Sequence, residues 1–173
     1  WRLSATGHFT HGEGYFEQFK SGEDLADYLL PDVVVGDDTV TTTDLVRRRW
    51  LDNDFYGAVL GVERRWDRAA LTLGAAANRY EGDHFGRVIW AENASTAGTP
   101  NYTYYDSDGL KLDRNVFARF VQRSQDGRLQ AQAELQYRGV RFETMGTDND
   151  QVAINVPRDS ATFDFLNLSL IHI

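Results

Sequence analysis

The sequence predicts an all-β protein and, within that class, an antiparallel segment of a transmembrane β-barrel with about six strands. Three observations predict it. The stretch 129–137 alternates apolar and polar residues without a break. Two pairs of alternating stretches are joined by very short turns, and the other connections are long and polar. Short and long connections also take turns along the chain.

Neighbouring side chains of a strand point to opposite faces. Residues 129–137 therefore set Leu129, Ala131, Ala133, Leu135 and Tyr137 against Gln130, Gln132, Glu134 and Gln136. A helix would scatter those glutamines around its axis. The span matches the roughly 9–11 residues of a tilted membrane strand, and Tyr137 closes the apolar side as a girdle aromatic does. Taken alone, the stretch also fits a half-exposed strand of a soluble barrel or sandwich.

In chain order, the first strand is 2–11, where Leu3, Ala5, Gly7 and Phe9 alternate with Ser4, Thr6, His8 and Thr10. A polar segment, 12–52, follows. It carries a short helical cue: Ser21 as N-cap, Glu23 and Asp24 in the first turn, then Leu25, Tyr28 and Leu29 at helical spacing, ended by Pro31. Residues 41–43 and Asp44 read as the cap of a second turn leading into Arg47, Arg48 and Arg49. Those arginines suit an anionic ligand, or a solvated face paired with Asp24, Asp44, Asp52 and Asp54. The second strand, 54–65, and the third, starting at Ala69, form a hairpin across 66–68, with Trp66 at its tip, where an amphipathic ring suits a water–lipid boundary.

From 79 to about 112 the chain turns polar again, with a turn-rich stretch at 93–101. Asp106-Ser107-Asp108-Gly109 looks like part of a calcium loop but lacks the distal Glu, so it reads as a plain turn. Asp83 and His84 could ligate a metal. Adjacent strand residues face opposite ways, however, so a loop ion pair or a cap is the simpler reading, and no metal site is expected. The fourth strand is 114–123. Asp126-Gly127 marks the next hairpin, the fifth strand runs from 129 towards 145, 146–160 is a third polar loop, and 161–167 opens a sixth strand. Outer-membrane barrels keep short turns on one edge and long loops on the other. In such a barrel the apolar faces meet lipid and the polar faces line a lumen.

The bulk numbers are compatible. The chain has 173 residues, no Cys and 15 Gly, and aromatics make up 13%. No apolar run reaches the roughly 18 residues of a membrane helix, which says nothing against alternating strands. A net charge of −8 argues against a nucleic-acid partner. The chain opens on Trp1, so it is expected to be a piece of a longer protein.

Several segments then resemble one family. They are Gly14-Tyr15-Phe16-Glu17-Gln18-Phe19-Lys20, Asp24-Leu25-Ala26-Asp27-Tyr28, Arg48-Arg49-Trp50-Leu51-Asp52-Asn53-Asp54-Phe55-Tyr56-Gly57 and Asn78-Arg79-Tyr80-Glu81-Gly82-Asp83-His84-Phe85-Gly86. With Asp106-Ser107-Asp108-Gly109-Leu110-Lys111-Leu112-Asp113 and Gln136-Tyr137-Arg138, they resemble the barrel of TonB-dependent outer-membrane receptors of the Bacteroidota type, over most of residues 1–167. The resemblance implies a barrel of about 22 strands with a plugged lumen. It also implies a place in the outer membrane of a Gram-negative bacterium. The implied function is uptake of a scarce small nutrient (a ferric siderophore, cobalamin or a glycan), driven by the inner-membrane TonB complex. That family's plug and TonB-contacting box precede the barrel, and no stretch here resembles them. After Phe163-Asp164-Phe165-Leu166-Asn167 the family continues with a Pro-Lys type of step. Here 168–173 reads Leu-Ser-Leu-Ile-His-Ile, one reading frame of a transposase mosaic-end adapter (CTG TCT CTT ATA CAC ATC). This hexapeptide is expected to be non-native read-through on a truncated metagenomic gene.

No nucleophile elbow, phosphate loop or zinc motif is present, so neither a catalytic residue nor a cofactor is expected. Ligand contacts of a transport receptor would come from lumen and loop groups. By residue type these are Arg47, Arg48 and Arg49, Tyr80, His84, Trp90, Tyr104 and Tyr105. Aromatic loop residues also simply pack loops together. Two other classes stay open: a soluble β-rich module, carbohydrate-binding or accessory to a hydrolase, and a barrel serving surface attachment or TonB-independent diffusion.

Overall fold

The structure is a computed structural model that describes residues 1–94, 102–147 and 155–172. Its strands are β1 (Arg2–Asp24), β2 (Val33–Val35), β3 (Asp38–Val40), β4 (Thr42–Arg65), β5 (Ala69–Ala91), β6 (Tyr102–Arg123), β7 (Gln130–Thr147) and β8 (Asn155–His172). Six of them make one antiparallel sheet in the order β1, β4, β5, β6, β7, β8, and β2 with β3 forms a separate small hairpin. The all-β, antiparallel, six-stranded expectation is met. Among the described residues β1 and β8 each pair on one side only, so these strands do not close on themselves.

Connections alternate as expected. Segments 66–68 and 124–129 lie at one edge; 25–41 lies at the other, where β5 and β7 end and β6 and β8 begin. The first short turn is closed by Trp66 N–H donating to Ala69 O at 2.8 Å. In the second, Gly127 takes φ +71, where only glycine is unstrained. The Asp126 carboxylate there accepts from the Arg128 amide at 3.1 Å, so the Asp-Gly signal works through local chemistry.

The strands are much longer than the alternating pattern indicated. The polar segments 12–24, 42–53, 79–91 and 102–113 continue the ladder instead of looping. Three local expectations are corrected with them. Asp106-Ser107-Asp108-Gly109 is extended strand inside β6, not a turn. Residues 41–44 do not cap a helical turn. Instead, Asp44 reaches across to β1 and accepts from Ser21 Oγ and Gly22 N, each at 2.8 Å, clamping a bulge between Lys20 and Glu23. The helical cue yields a single 3-10 turn, Leu25–Tyr28, capped by Asp24 rather than Ser21. Leu29 ends it at φ 55, before Pro31. Residues 168–172 continue β8 in register with β7. The turn-rich 93–101 lies largely outside the described residues.

Register lines up one kind of residue per row. Leu3, Val62, Leu73, Ala118, Leu135 and Leu168 are successive partners across the sheet. So are Ala5, Leu60, Ala75, Val116, Tyr137 and Leu166, two residues along and on the same face. The row between them, on the opposite face, is Ser4, Gly61, Gly74, Phe117, Gln136 and Asn167. The apolar rows are open to their surroundings: Leu3, Leu166 and Leu170 are 78, 71 and 75% exposed. The compact core lies elsewhere, at the edge with the long connections and on the polar face. It consists of Leu25, Tyr28, Leu30, Leu45, Val88, Tyr104 and Tyr105.

Candidate functional site

The core exists because segment 25–41 folds back over the polar face. Leu25 of the 3-10 turn and Leu45 of β4 are fully buried. Tyr28 packs its ring 4.8 Å from Tyr104, which meets Tyr105 edge-on at 4.9 Å. Glycine makes room for both: a Cβ on Gly86 would sit 2.2 Å from Tyr105 and 2.5 Å from Tyr104.

A polar lock joins this segment to the sheet. Arg47 Nη1 donates to the Tyr28 hydroxyl at 2.9 Å, and its Nε and Nη2 donate to Gln18 Oε1 at 3.2 and 3.0 Å. Tyr28 donates in turn to Glu23 Oε2 at 2.6 Å. Burial, then this bond to Glu23, pushes the Tyr28 phenol far above its ordinary range. The same bond, ahead of Lys20, holds the Glu23 carboxyl below its usual value. Burial also raises the Tyr104 phenol, against the pull of Arg47.

Next to the lock lies a hollow of about 750 Å3 whose lining includes Gly12, Gly14, Phe16, Arg49, His84 and Tyr105. Arg49 Nε donates to the Tyr105 hydroxyl at 3.3 Å, and its guanidinium lies 5.7 Å from the Phe16 ring centre. His84 is exposed, on the face of Arg49 and Tyr105. Tyr80 leans over Gly82 towards it, its hydroxyl 2.5 Å from where a Cβ on Gly82 would lie. A cation, an imidazole and phenols around a glycine floor can bind a ligand with anionic and planar parts.

Of the residues singled out by type, the fold places Arg47, Arg49, Tyr80, His84, Tyr104 and Tyr105 on or over one face, with Arg49, His84 and Tyr105 at the hollow. It separates Arg48 and Trp90, which register on the opposite face. Arg48 is engaged there, at 2.9 Å from Glu17 and 4.5 Å from the Tyr15 ring centre. Alternation along β4 sends Arg48 away from its two neighbours. A bulge between Val46 and Arg47 then puts Trp90 opposite Val46 rather than on the polar face. Phe16, Gln18 and Tyr28 were missed. Tyr28 was read only as the apolar side of a helical turn, and that side needed a cover which could have been sought.

On the opposite face at this end, Asp52, Asp83 and Asp108 share one row. Burial, then Asp108, raises the carboxyls of both Asp83 and Asp106. Asp83 and His84 do not share a face, and among the described residues no group of three or more such side chains could hold a metal. Compared with family models, curated proteins and solved structures, the chain shows no match.

Proposed function

We propose that this chain is part of the barrel of a TonB-dependent outer-membrane receptor, which takes up a scarce nutrient such as a ferric siderophore through a lumen lined by its polar face. One observation carries the membrane part: a band of apolar rows across six strands that aromatic rings bound on both sides on β1 and β4. On β4 the band runs from Tyr56 to the Trp66 that follows it, and on β1 from Trp1 to Phe9. At about 3.4 Å per residue and a strand tilt of about 40°, Tyr56 to Trp66 covers about 25 Å along the membrane normal, the height of the apolar belt of such barrels.

The band is also oblique to the ladder. Tyr56 registers through Arg79 and Leu112 with Arg141, yet the girdle aromatic of β7 is Tyr137. This step is about 14 Å along the strand across three strand spacings of about 4.8 Å each, a slope of about 45°. Strands of outer-membrane barrels tilt by about 35–45°. A soluble module would leave these leucines in water, forgoing about 2 kcal/mol for each one it could have covered. An open edge is untenable in hydrocarbon, so β1 and β8 require further strands to close the barrel.

The transport part rests on the family resemblance and on the hollow beside Arg49, His84 and Tyr105, at the edge with the long connections, which is the extracellular one in such barrels. The chain has no Cys, so with any cysteine elsewhere in the full-length protein replaced, single cysteines can carry nitroxide labels along 129–137 in bilayers. Labels at 131, 133 and 135 are expected to be accessible to oxygen and shielded from a water-soluble relaxant, with the reverse at 132, 134 and 136. Full-length protein that partitions into water without detergent, with Leu135 packed in a dry interior, would sink the reading in favour of the soluble module. For transport, loss of growth on one scarce nutrient when the gene is deleted, restored by wild type but not by Arg49→Ala, is the expected result.

A further inference from the structure

At the edge with the short turns, one arginine is held in an unusual way. Arg64 registers with Leu71 and therefore belongs to the apolar face, at its lower margin. Its guanidinium carbon lies 4.9 Å from the ring centre of Trp1 and 4.9 Å from that of Trp66. Two indole rings within cation–π distance of one guanidinium attract it without using its N–H groups, which can still donate. The nearest acid in sequence cannot serve it, because Glu63 points to the opposite face and accepts from Arg65 at 2.7 Å. The side chain is exposed, as are both rings.

We infer that Trp1, Arg64 and Trp66 form a clamp for the phosphate of an anionic phospholipid at the membrane boundary near the short turns. This rests on the lipid-facing reading of the apolar rows. The chemistry selects the partner. Guanidinium edges match phosphate oxygens in paired geometry, which an ammonium does not. Tryptophan settles at the headgroup level. The rows beginning at Leu71 and Phe120 offer an apolar bed for acyl chains directly beside the cation. The two indole contacts also restrict the guanidinium before any lipid arrives, which lowers the ordering cost of binding.

The test uses the full-length protein in phosphatidylcholine nanodiscs doped with phosphatidylglycerol, with the lipids that stay bound counted by native mass spectrometry. Wild type is expected to retain phosphatidylglycerol preferentially. Arg64→Gln should lower that preference about fivefold, the worth of one surface arginine at an anionic leaflet. Trp66→Ala should lower it too, Arg64→Lys should restore it in part, and excess inorganic phosphate should leave the lipid in place. An unchanged preference in Arg64→Gln overturns the inference, as does displacement by free phosphate. A nitroxide at position 135 in the same nanodiscs separates the two ways of failing. If it is accessible to oxygen while Arg64→Gln has no effect, only the clamp is wrong; if it is inaccessible, the lipid-facing reading has failed as well.

Discussion

Two adjacent rows of the sheet differ in almost every property. Leu3, Val62, Leu73, Ala118, Leu135 and Leu168 make one; Arg2, Glu63, Thr72, Arg119, Glu134 and Ser169 make the next. They are one residue apart on every strand and lie on opposite faces. The first holds no polar side chain, while the second alternates charges of opposite sign over most of its width. A slip of one residue in any pairing would put charge into the apolar band. The difference teaches that register here is fixed by the incompatible chemistry of the two faces, with little help from packing between layers: among the described residues the sheet has no second layer except where 25–41 folds onto it.

The largest effect should come from breaking this contrast at adjacent positions. Leu135→Arg puts a cation in the middle of the apolar band, and Gln136→Arg puts the same cation on the polar face. In a bilayer the first should destabilise the full-length protein by about 2–4 kcal/mol, and the second by no more than about 0.5 kcal/mol. Urea titration of folding into lipid vesicles reads both. Equal costs would mean that the two faces do not differ in environment.

A second contrast sets two glycines at the same end of the polar face against each other. Gly86→Ala drives a methyl into Tyr104 and Tyr105, an overpacking expected to cost about 1–3 kcal/mol. Gly14→Ala meets nothing within 4 Å and should stay within about 0.5 kcal/mol. Thermal unfolding of the two variants measures the difference, and a harmless Gly86→Ala would show that 25–41 does not pack on the sheet as described.

These contrasts also explain what could be read from the chain. Where one face is a continuous apolar band and the other polar, alternation is strong, and 2–11, 54–65, 114–123 and 129–137 are legible as strands. Beyond Tyr56 both faces carry polar residues. Asp52 on one side and Asn53 on the other are both polar, and the period of two fades while backbone pairing continues through Leu51, His84 and Ser107. Polar strand there is indistinguishable from polar loop by composition, which is why β1, β4, β5 and β6 were read too short. The site was legible by residue type but not by face. Arg47, Arg48 and Arg49 look alike in sequence, and only their place in the ladder parts Arg48 from the other two. The fold-back of 25–41 depends on Leu25 and Tyr28 meeting Leu45, Val88 and Tyr104, contacts that no local pattern announces.

The smallest effect expected is a response to acid confined to the polar face. Glu23 accepts from Tyr28, and this bond holds its carboxyl below the ordinary glutamate value of 4.5. A carboxyl depressed in the folded state stabilises fully above its unfolded pKa and loses that contribution as pH falls through the folded pKa. The lock over 25–41 should therefore loosen below pH 4.5, whereas the apolar band, which carries no such group, should not. Hydrogen exchange can read this at two amides of the segment: Leu25 N–H, bonded to Thr41 O at 2.8 Å, and Leu30 N–H, bonded to Leu25 O at 2.9 Å. After correction for intrinsic rates, both should lose protection on the acid side while the Leu73 amide keeps its own. Glu23→Gln should remove the pH dependence by starting from the weaker lock. If Glu23→Gln shows the same acid-side loss as wild type, the carboxyl is not what holds the segment, and the lock reduces to its apolar contacts.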